Sequence, residues 1–394
     1  MKHRTLYQTI VVASCLCMTM NAAGQTTPTE KKKSIFTETK FSGYLMSEYQ
    51  YSNPKGAENN SFNIRMARMS LEGRILNDFY WKTQIQFNGN TATLGQSPRV
   101  VDVLAEWQKY SYFKVRFGQF KRAFTFENPI HPITQGFMSF GQNILKLSGF
   151  SDRTGEHSSN GRDIGIQIQG DFLKNAAGRD LLHYQVGVYN GQGINTKDLD
   201  QRKDVIGGLW VMPVKGMRIG VFGWTGSYAR KGSYTLVDEQ THQPVLDTNG
   251  KTQTVSGLQV VERNRYAVSG EYLVNDWTFR SEYIHSQGYG FKATHNTRED
   301  AAKADINYAA GDKADGFYAL VIAPVVKKKL HVKARYDMYR PQADWNTSKT
   351  QYEVGINYSL SNSLIFSGEY AWVNDRSLEK HNYSLVDFQV SVKF

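Results

Sequence analysis

The sequence predicts an all-β protein: a transmembrane antiparallel β-barrel of about sixteen strands, with short turns at one end and long loops at the other. Three observations support this class. Apolar and polar residues alternate in repeated runs of roughly 10–14 residues, close to the length of a tilted membrane strand. The connections between these runs are alternately short and long. Mean hydropathy is low, at −0.51, although 13% of residues are aromatic, as expected where only every second strand residue meets lipid.

The alternation separates two kinds of side chain. The run "DFYWKTQIQF" (78–87) places Phe79, Trp81 and Ile85 on one face and polar residues on the other. The last run, "FQVSVKF" (388–394), repeats the pattern. A period of two puts the two sets on opposite faces of a strand. In a soluble sheet the apolar face would meet a protein core, whereas in a membrane barrel it would meet lipid.

The connections favour the membrane barrel. Short turns are predicted near 76–78, 109–111, 213–216, 274–276 and 359–362, each after an even-numbered strand. Three very long loops, about 120–158, 229–258 and 287–313, follow odd-numbered strands. Short periplasmic turns and long outer loops are typical of outer-membrane barrels, and an even strand number places both termini in the periplasm. A soluble sandwich gives no reason for this sorting.

The N-terminal residues predict export. Lys2 and Arg4 precede an apolar stretch at about 10–20 and small residues at 22–24, the layout of a secretory signal peptide. We predict a signal peptide at 1–24, a periplasmic tail at 25–37 and a barrel at 38–394, in the outer membrane of a Gram-negative bacterium. Cleavage would remove both cysteines, Cys15 and Cys17; the alternative is a lipoprotein modified at Cys15.

The sequence contains few motifs for catalysis, metal binding or nucleotide binding. The nine histidines show no metal-binding spacing, and no glycine-rich nucleotide motif follows a strand. The sequence therefore predicts no cofactor, no metal and no nucleic-acid partner. A barrel enzyme is an alternative of a different class, but it needs a nucleophile and a base clustered at one rim. His131 and His157 lie in a long loop, and no partnered nucleophile is apparent beside them.

Basic residues mark the predicted lumen. The formal net charge is +11. In the second strand the apolar residues Phe62, Ile64 and Met66 share one parity, and Met69 and Leu71 share the other. A β-bulge near Ala67–Arg68 would reconcile the two halves. That bulge would point Arg65, Arg68 and Arg74 inward. The inward orientation is favoured because a lipid-facing arginine costs roughly 2–4 kcal/mol at the bilayer midplane.

Further cations lead toward the long loop at 120–158. Lys114 and Arg116 face the lumen by parity, and Lys121 and Arg122 follow at the start of the loop. A loop folded into the lumen would make a constriction lined by positive charge, and charged rings set selectivity in pores. Several acids share the lumen, so some cations are expected to pair and stabilise the wall. The predicted anion-binding and pore-lining residues are Arg65, Arg68, Arg74, Lys82, Lys114, Arg116, Lys121, Arg122, Lys333 and Arg335.

Four stretches resemble the phosphate-selective porin O and P family: "IRMARMSLEGRILNDFYWKTQIQF" (64–87), "VRFGQFKRAFTFENP" (115–129), "GRDIGIQIQGDF" (161–172) and "YQVGVYNGQG" (184–193). The resemblance implies a sixteen-stranded trimeric anion channel whose third outer loop folds inward. The sequence departs from the family pattern at two places, which affect the expected phosphate selectivity rather than the expected geometry of the wall and loop. Arg65 and Arg68 stand apart where the family usually has an arginine doublet, and Ala123 stands where it usually has proline.

These observations predict an outer-membrane porin for passive diffusion of small inorganic or organic anions, with phosphate and related oxyanions as candidates. The expected partners are these anions, outer-membrane lipid, lipopolysaccharide and two further copies of the chain. The main alternative is a non-selective porin for sugars or peptides, in which acids cancel the lumen cations. An adhesive barrel that uses loops 229–258 and 287–313 for contact is a third possibility.

Overall fold

A computed structural model of the chain describes residues 35–88, 98–295 and 297–394. The predicted signal peptide, Cys15 and the lysines of the tail at 31–33 lie outside the described residues. The first strand begins at Phe36, two residues before the predicted start of the barrel. No helix among the described residues is long and apolar enough to cross a membrane.

The described residues form sixteen strands and two short helices. The strands are β1 (Phe36–Ser52), β2 (Asn59–Ile75), β3 (Phe79–Gln86), β4 (Arg99–Trp107), β5 (Lys114–Lys121), β6 (Arg162–Lys174), β7 (Asp180–Tyr189), β8 (Asp204–Val211), β9 (Met217–Thr235), β10 (Thr254–Val274), β11 (Trp277–Gln287), β12 (Lys313–Val326), β13 (Leu330–Arg340), β14 (Lys349–Ser359), β15 (Leu364–Asp375) and β16 (Asn382–Lys393). The helices are α1 (Gln142–Leu147) and α2 (Arg298–Ala301).

The strands close into a barrel. Each strand pairs antiparallel with its neighbours in sequence, and β16 pairs with β1 from Tyr44↔Lys393 to Ser52↔Leu385. Beyond the last strand pair, the amide groups of Gly43 and Phe394 donate to each other's carbonyl oxygens at 3.0 Å. Closure leaves no open sheet edge, which is the condition for a sheet to exist within lipid. The predicted sixteen-strand antiparallel barrel is confirmed.

The barrel wall exposes apolar side chains and buries charged ones, which is the reverse of the distribution in a soluble protein. Large apolar side chains are exposed on the outer face, including Phe117 (65% exposed), Phe388 (57%) and Val354 (55%). Charged side chains such as Glu106 and Arg335 are buried on the inner face. Such a surface would aggregate in water but matches the hydrocarbon of a bilayer. The outer face is therefore the lipid face, and the inner face lines a polar lumen.

The predicted asymmetry of the connections is present. Turns such as 76–78 and 275–276 follow even-numbered strands, whereas the loops at 122–161, 236–253 and 288–312 follow odd-numbered ones. The prediction of a loop over 229–258 was too long, because β9 and β10 stay paired as far as Thr235↔Thr254. This hairpin is longer than the bilayer requires.

The bulge in β2 exists but lies two residues earlier than predicted. Met46 pairs with Met66 and Ser47 with Ile64, so Arg65 is the extra residue. The shift places the side chain of Met66 inside the barrel, where it accepts a hydrogen bond from the Tyr44 hydroxyl. The alternation predicted Met66 on the lipid face with Ile64. One inserted residue reverses the facing of everything after it.

The loop between β5 and β6, residues 122–161, lies inside the barrel and is here called L3. Backbone amides of L3 donate to carboxylates on the inner wall: Glu127 to Glu282 at 2.7 Å, and Met138 to Glu369 at 2.7 Å. Its aromatic residues pack against wall aromatics of β7 to β13 and form the main hydrophobic core. L3 thus fills the side of the lumen that is lined by β7 to β13.

Gly118 permits the close approach of β4 and β5 just before L3. Its φ is +123°, and a Cβ at this position would overlap the carbonyl oxygen of Val103. We expect Gly118→Ala to destabilise the barrel by more than about 1 kcal/mol, because alanine is strained at this φ and has no space. Gly270→Ala in β10 is the matched control, since no atom lies within 4 Å of its added Cβ. Equal thermal unfolding of both variants, measured by heat-dependent mobility on gels, would contradict this assignment.

Candidate pore constriction

L3 faces the inner wall formed by β16, β1 and β2. A cavity of about 290 Å³ lies between them, and we call it the constriction. The wall contributes Glu48, Gln50, Arg65, Met66 and Asp387. The loop contributes four apolar side chains and four small polar ones: Met138, Phe140, Leu145, Phe150, Ser139, Ser151, Ser158 and Asn160.

Cations concentrate on five neighbouring strands beside the constriction. This group, here called the basic arc, consists of Arg65 and Arg68 on β2, Lys82 on β3, Arg99 on β4, Lys121 on β5 and Arg162 on β6. Register explains part of the clustering, since Lys121 is paired with Arg162 across β5 and β6. Asp102 on β4 contacts two of these cations, Arg162 at 2.5 Å and Lys82 at 3.6 Å. The Arg65 guanidinium lies 3.9 Å from Glu48.

Three cations of the arc have neutral hydrogen-bond partners. Arg68 donates to Gln86 and to the Tyr44 hydroxyl at 2.9 and 3.1 Å. Arg99 donates to the carbonyl of Ser158 at 3.1 Å. Lys121 donates to the carbonyl of Asn128 at 2.6 Å, with its ammonium over the rings of Phe150 and Phe140. Among the described residues, no carboxylate lies within 4.0 Å of these three, so their charges are not neutralised locally.

His131 in L3 lies in the electrostatic field of the cations of the basic arc. Its ring packs edge-on against Tyr44, with the centroids 4.6 Å apart. Burial lowers the pKa of His131 to about 4, and the nearby charges of Lys82 and Arg68 act in the same direction. The imidazole is therefore neutral at physiological pH, because cations disfavour another positive charge. The same field would favour an anion in the passage.

The wall of the constriction also carries the acidic residues Glu48 and Asp387. Asp387 on β16 lines the cavity, and within the described part of the chain no Lys or Arg nitrogen lies within 4.0 Å of it. Asp387 pairs in register with Gln50 of β1, which in turn pairs with Ser61 of β2. Ser61 lies four residues before Arg65 along β2, but the Arg65 guanidinium reaches β16, where it donates to the side-chain oxygen of Gln389 at 2.7 Å. Charges of both signs therefore lie together in the constriction, which is not uniformly basic.

Five of the sequence-predicted cations do not line the constriction and are paired with carboxylates. Lys114 is 3.4 Å from Asp171, Arg116 contacts Glu106, and Arg74 is 3.1 Å from Glu38 near the short turn at 76–78. Lys333 pairs with Glu369 at 2.5 Å and Arg335 with Glu353 at 2.7 Å. The last two also donate to the carbonyls of Gly136 and Ser139 in L3, so they connect the loop to the wall.

Arg122 anchors L3 instead of facing the passage. Its guanidinium is fully buried and lies 2.9 Å from both Glu156 and Asp163. Arg263 of β10 contacts the second oxygen of Glu156 at 2.6 Å and Asp204 at 2.6 Å. We call these residues, together with the Arg265–Asp152 pair at 2.7 Å, the anchor network. It joins L3 to β6, β8 and β10.

The carboxylates of L3 in the anchor network remain charged despite burial. Burial alone would raise the pKa of Asp152, yet the charge of Arg265 holds that pKa well below its usual range. The pKa of Glu156 is likewise lowered by Arg122 and Arg263 against the effect of burial. Paired charges in a low-dielectric interior hold geometry tightly, since leaving either partner alone is costly.

Sequence reasoning missed Arg99 and Arg162 of the basic arc and Asp387 of the constriction. Arg162 and Asp163 are neighbours in the sequence, but they do not form an ion pair with each other. Arg162 contacts Asp102, and Asp163 contacts Arg122. The alternation in β6 and β16 was sufficient to place residues on the lumen face, but it does not identify cross-strand partners. Among the described residues, no group of three or more His, Cys, Asp or Glu side chains is arranged to hold a metal ion.

A closed sixteen-strand barrel with its third outer loop inside the lumen is the architecture of an outer-membrane porin. The model of the phosphate-selective porin O and P family matches residues 40–180. This match includes three of the four motifs in full, so the resemblance noted from the sequence is confirmed. A search of curated proteins finds no significant match.

Solved structures with the same fold are outer-membrane porins. The anion-selective porin from Comamonas acidovorans aligns with a TM-score of 0.58 at 12% identity, covering 91% of this chain and 99% of that chain. Salmonella typhi OmpF, in complex with daunomycin, gives 0.60 at 11% identity, covering 91% and 98%. The trimer form of Vibrio cholerae OmpT gives 0.55 at 12% identity, covering 91% and 99%. At these identities the similarity establishes the fold.

Proposed function

We propose that this protein is an outer-membrane porin through which small anions diffuse passively, guided by the basic arc. The observation that carries the proposal is the set of cations without a carboxylate partner, Arg68, Arg99 and Lys121. Low-dielectric walls and a thin water column strengthen the interaction of such charges with a passing ion. An anion is therefore enriched in the passage, and a cation is depleted.

Inorganic phosphate and related oxyanions are included in this proposal. Arg68 and Arg99 present planar guanidinium groups, which match oxyanions better than an ammonium does. The name of the matching family points in the same direction. Arg65 and Arg68 are separated by two residues, and Asp387 adds an acidic group to the cavity. The lining is therefore not a continuous series of cations. For this reason we propose passage of phosphate rather than exclusive selectivity for it.

The assembly and surroundings belong to the proposal as well. The porin-like fold supports a homotrimer, the form in which OmpT of Vibrio cholerae was solved. Exposed lysines of the outer loops, such as Lys251 and Lys303, are suited to contact the anionic groups of lipopolysaccharide. A barrel enzyme is not favoured, because the rings of His131 and His157 contact backbone groups of Ile133 and Ile194.

Ion substitution in a planar bilayer tests anion passage. We expect the single-channel conductance in KCl to fall strongly when chloride is replaced by the bulky anion gluconate. Replacing potassium by the bulky cation N-methylglucamine should change it much less. The opposite ranking would show that cations carry the current and would refute the proposal. A channel without measurable conductance in any of the three salts would favour a structural or adhesive barrel.

A further inference from the structure

We infer that the turn between β12 and β13 is a docking site for the anionic headgroups of phospholipids. The turn consists of three consecutive lysines, Lys327, Lys328 and Lys329, and is here called the lysine turn. All three are exposed, and none of the other short turns in the described part of the chain contains more than one Lys or Arg. The inference concerns the outer rim of the barrel and goes beyond the proposed passage of anions through the lumen.

The lysine turn lies at one edge of the apolar band of the barrel. Val325 and Val326, immediately before the turn, are 58% and 49% exposed. Aromatic residues lie at the same end of nearby strands, Trp277 at the start of β11 and Tyr358 near the end of β14. Aromatic residues in such positions mark the boundary between hydrocarbon and headgroups. Since the lysines follow this boundary directly, their ammonium groups lie at the level of the headgroups.

Lys329 is directed to the outer face of the barrel and not to the lumen. Its ammonium group lies over the ring of Tyr358, 5.9 Å from the centroid. Tyr358 shares the parity of Val354 and Ile356, which are exposed on the lipid face of β14. Glu353, of the opposite parity, is buried on the lumen side. An anion attracted by Lys329 would therefore bind on the lipid side of the wall.

The positive charge of the lysine turn is only partly compensated. Within the described part of the chain, no carboxylate lies within 4.0 Å of any of its three ammonium groups. Asp276, in the turn between β10 and β11, accepts a hydrogen bond from the backbone amide of Lys328 at 2.6 Å and lies 2.9 Å from His331. This single carboxylate faces three ammonium groups, so the turn keeps a net positive charge that suits an anionic headgroup.

The backbone conformation of the turn does not explain why its residues are lysines. Lys328 has a φ of +59°, in the left-handed region where glycine and asparagine are less strained. The turn is nevertheless ordered, because the amide of Lys329 donates to the carbonyl of Val326 at 2.9 Å and the amide of Ser359 donates to the carbonyl of Lys329 at 2.8 Å. A lysine held in an unfavourable conformation is consistent with a role for its charge.

The position of the lysine turn identifies the anion as a phospholipid. The turn lies at the end of the barrel with the short connections, opposite the long loops that include L3. In outer-membrane barrels this end faces the periplasm. The periplasmic leaflet consists of phospholipid, whereas lipopolysaccharide occupies the outer leaflet. Lysines beside a bilayer attract anionic lipids, so phosphatidylglycerol is favoured over zwitterionic phosphatidylcholine.

The test compares the binding of two lipids to the purified protein by native mass spectrometry. Dioleoyl phosphatidylglycerol and dioleoyl phosphatidylcholine differ only in the headgroup, and each is titrated into the detergent micelles. We expect phosphatidylglycerol to bind at a concentration at least about fivefold lower, because each lysine near the headgroups adds to the attraction. The preference should shrink as the concentration of ammonium acetate is raised, because mobile ions screen exposed charges.

Two triple variants locate the effect. One neutralises the lysine turn through Lys327→Gln, Lys328→Asn and Lys329→Gln. Asparagine suits the left-handed backbone at position 328, so we expect this variant to fold and to lose the preference for phosphatidylglycerol. The control removes the same charge from exposed positions on the long loops, Lys251→Gln, Lys292→Gln and Lys303→Gln. The control should keep the preference of the wild type.

Four results would overturn the assignment. Equal binding of the two lipids to the wild type would mean that the lysines are ordinary solvated charges. An equal loss in both triple variants would attribute the preference to net charge, and an unchanged preference in the neutralised turn would place the site elsewhere. Tighter binding of polyglutamate than of phosphatidylglycerol, lost in the neutralised turn, would indicate an acidic protein as the partner. The proposed passage of anions is tested separately by conductance.

Discussion

Neutralising three cations of the basic arc should lower the anion-to-cation permeability ratio by at least about fivefold, since each acts across a thin and poorly screened water column. The variant is Arg68→Gln, Arg99→Gln and Lys121→Gln. These residues are chosen because their partners are neutral, so their removal leaves no buried carboxylate unpaired. The measurement is the reversal potential across a bilayer in a salt gradient.

A matched control separates this local effect from net charge. Lys251→Gln, Lys303→Gln and Lys327→Gln remove the same total charge from exposed positions on loops and a turn. We expect a small change in the permeability ratio, because mobile ions screen charges at the wide mouths. If both triple variants gave the same shift, selectivity would arise from overall charge, and the arc would have no special role.

Removing one carboxylate of the anchor network should free L3 from the wall. Glu156 is fully buried and lies between Arg122 and Arg263, at 2.9 and 2.6 Å. Glu156→Ala leaves two buried guanidinium groups short of a counter-charge, and breaking a buried pair in this way costs roughly 3–5 kcal/mol. We expect a larger and noisier single-channel conductance and faster proteolysis within L3, because the loop no longer holds its place in the lumen.

The comparison variant is Glu379→Ala. Its salt bridge to Lys55 lies on the exposed surface, and the two side chains are 86% and 61% exposed. Exposed pairs contribute little, so conductance and proteolysis should match the wild type. Wild-type behaviour in Glu156→Ala would mean that the aromatic core alone fixes L3 and that the anchor network is dispensable.

The barrel could be predicted from the sequence because its determinants are local. A period of two places lipid-facing and lumen-facing side chains without knowledge of their partners, and turn lengths give the topology. Arg65 and Arg68 were predicted to face inward for this reason, and both do. The error of two residues in the bulge also has a local origin, since Met66 is apolar but faces the lumen.

The constriction could be predicted less completely from the sequence, because the contacts that define it join residues far apart in the chain. Arg122 follows Lys121 directly, yet Arg122 is neutralised by Glu156 and Asp163, which lie 34 and 41 positions further along. Lys121 meets the neutral carbonyl of Asn128. Cations that are neighbours in the sequence thus have different roles, and only the path of L3 through the lumen decides between them.

The central claim is that uncompensated lumen cations make this porin anion-selective. The most direct test is the zero-current potential of the wild-type protein in a bilayer with a KCl gradient at neutral pH. Our account predicts a potential displaced toward the equilibrium potential of chloride, with a displacement that shrinks as salt is raised and the arc is screened. A potential displaced toward the equilibrium potential of potassium would contradict it.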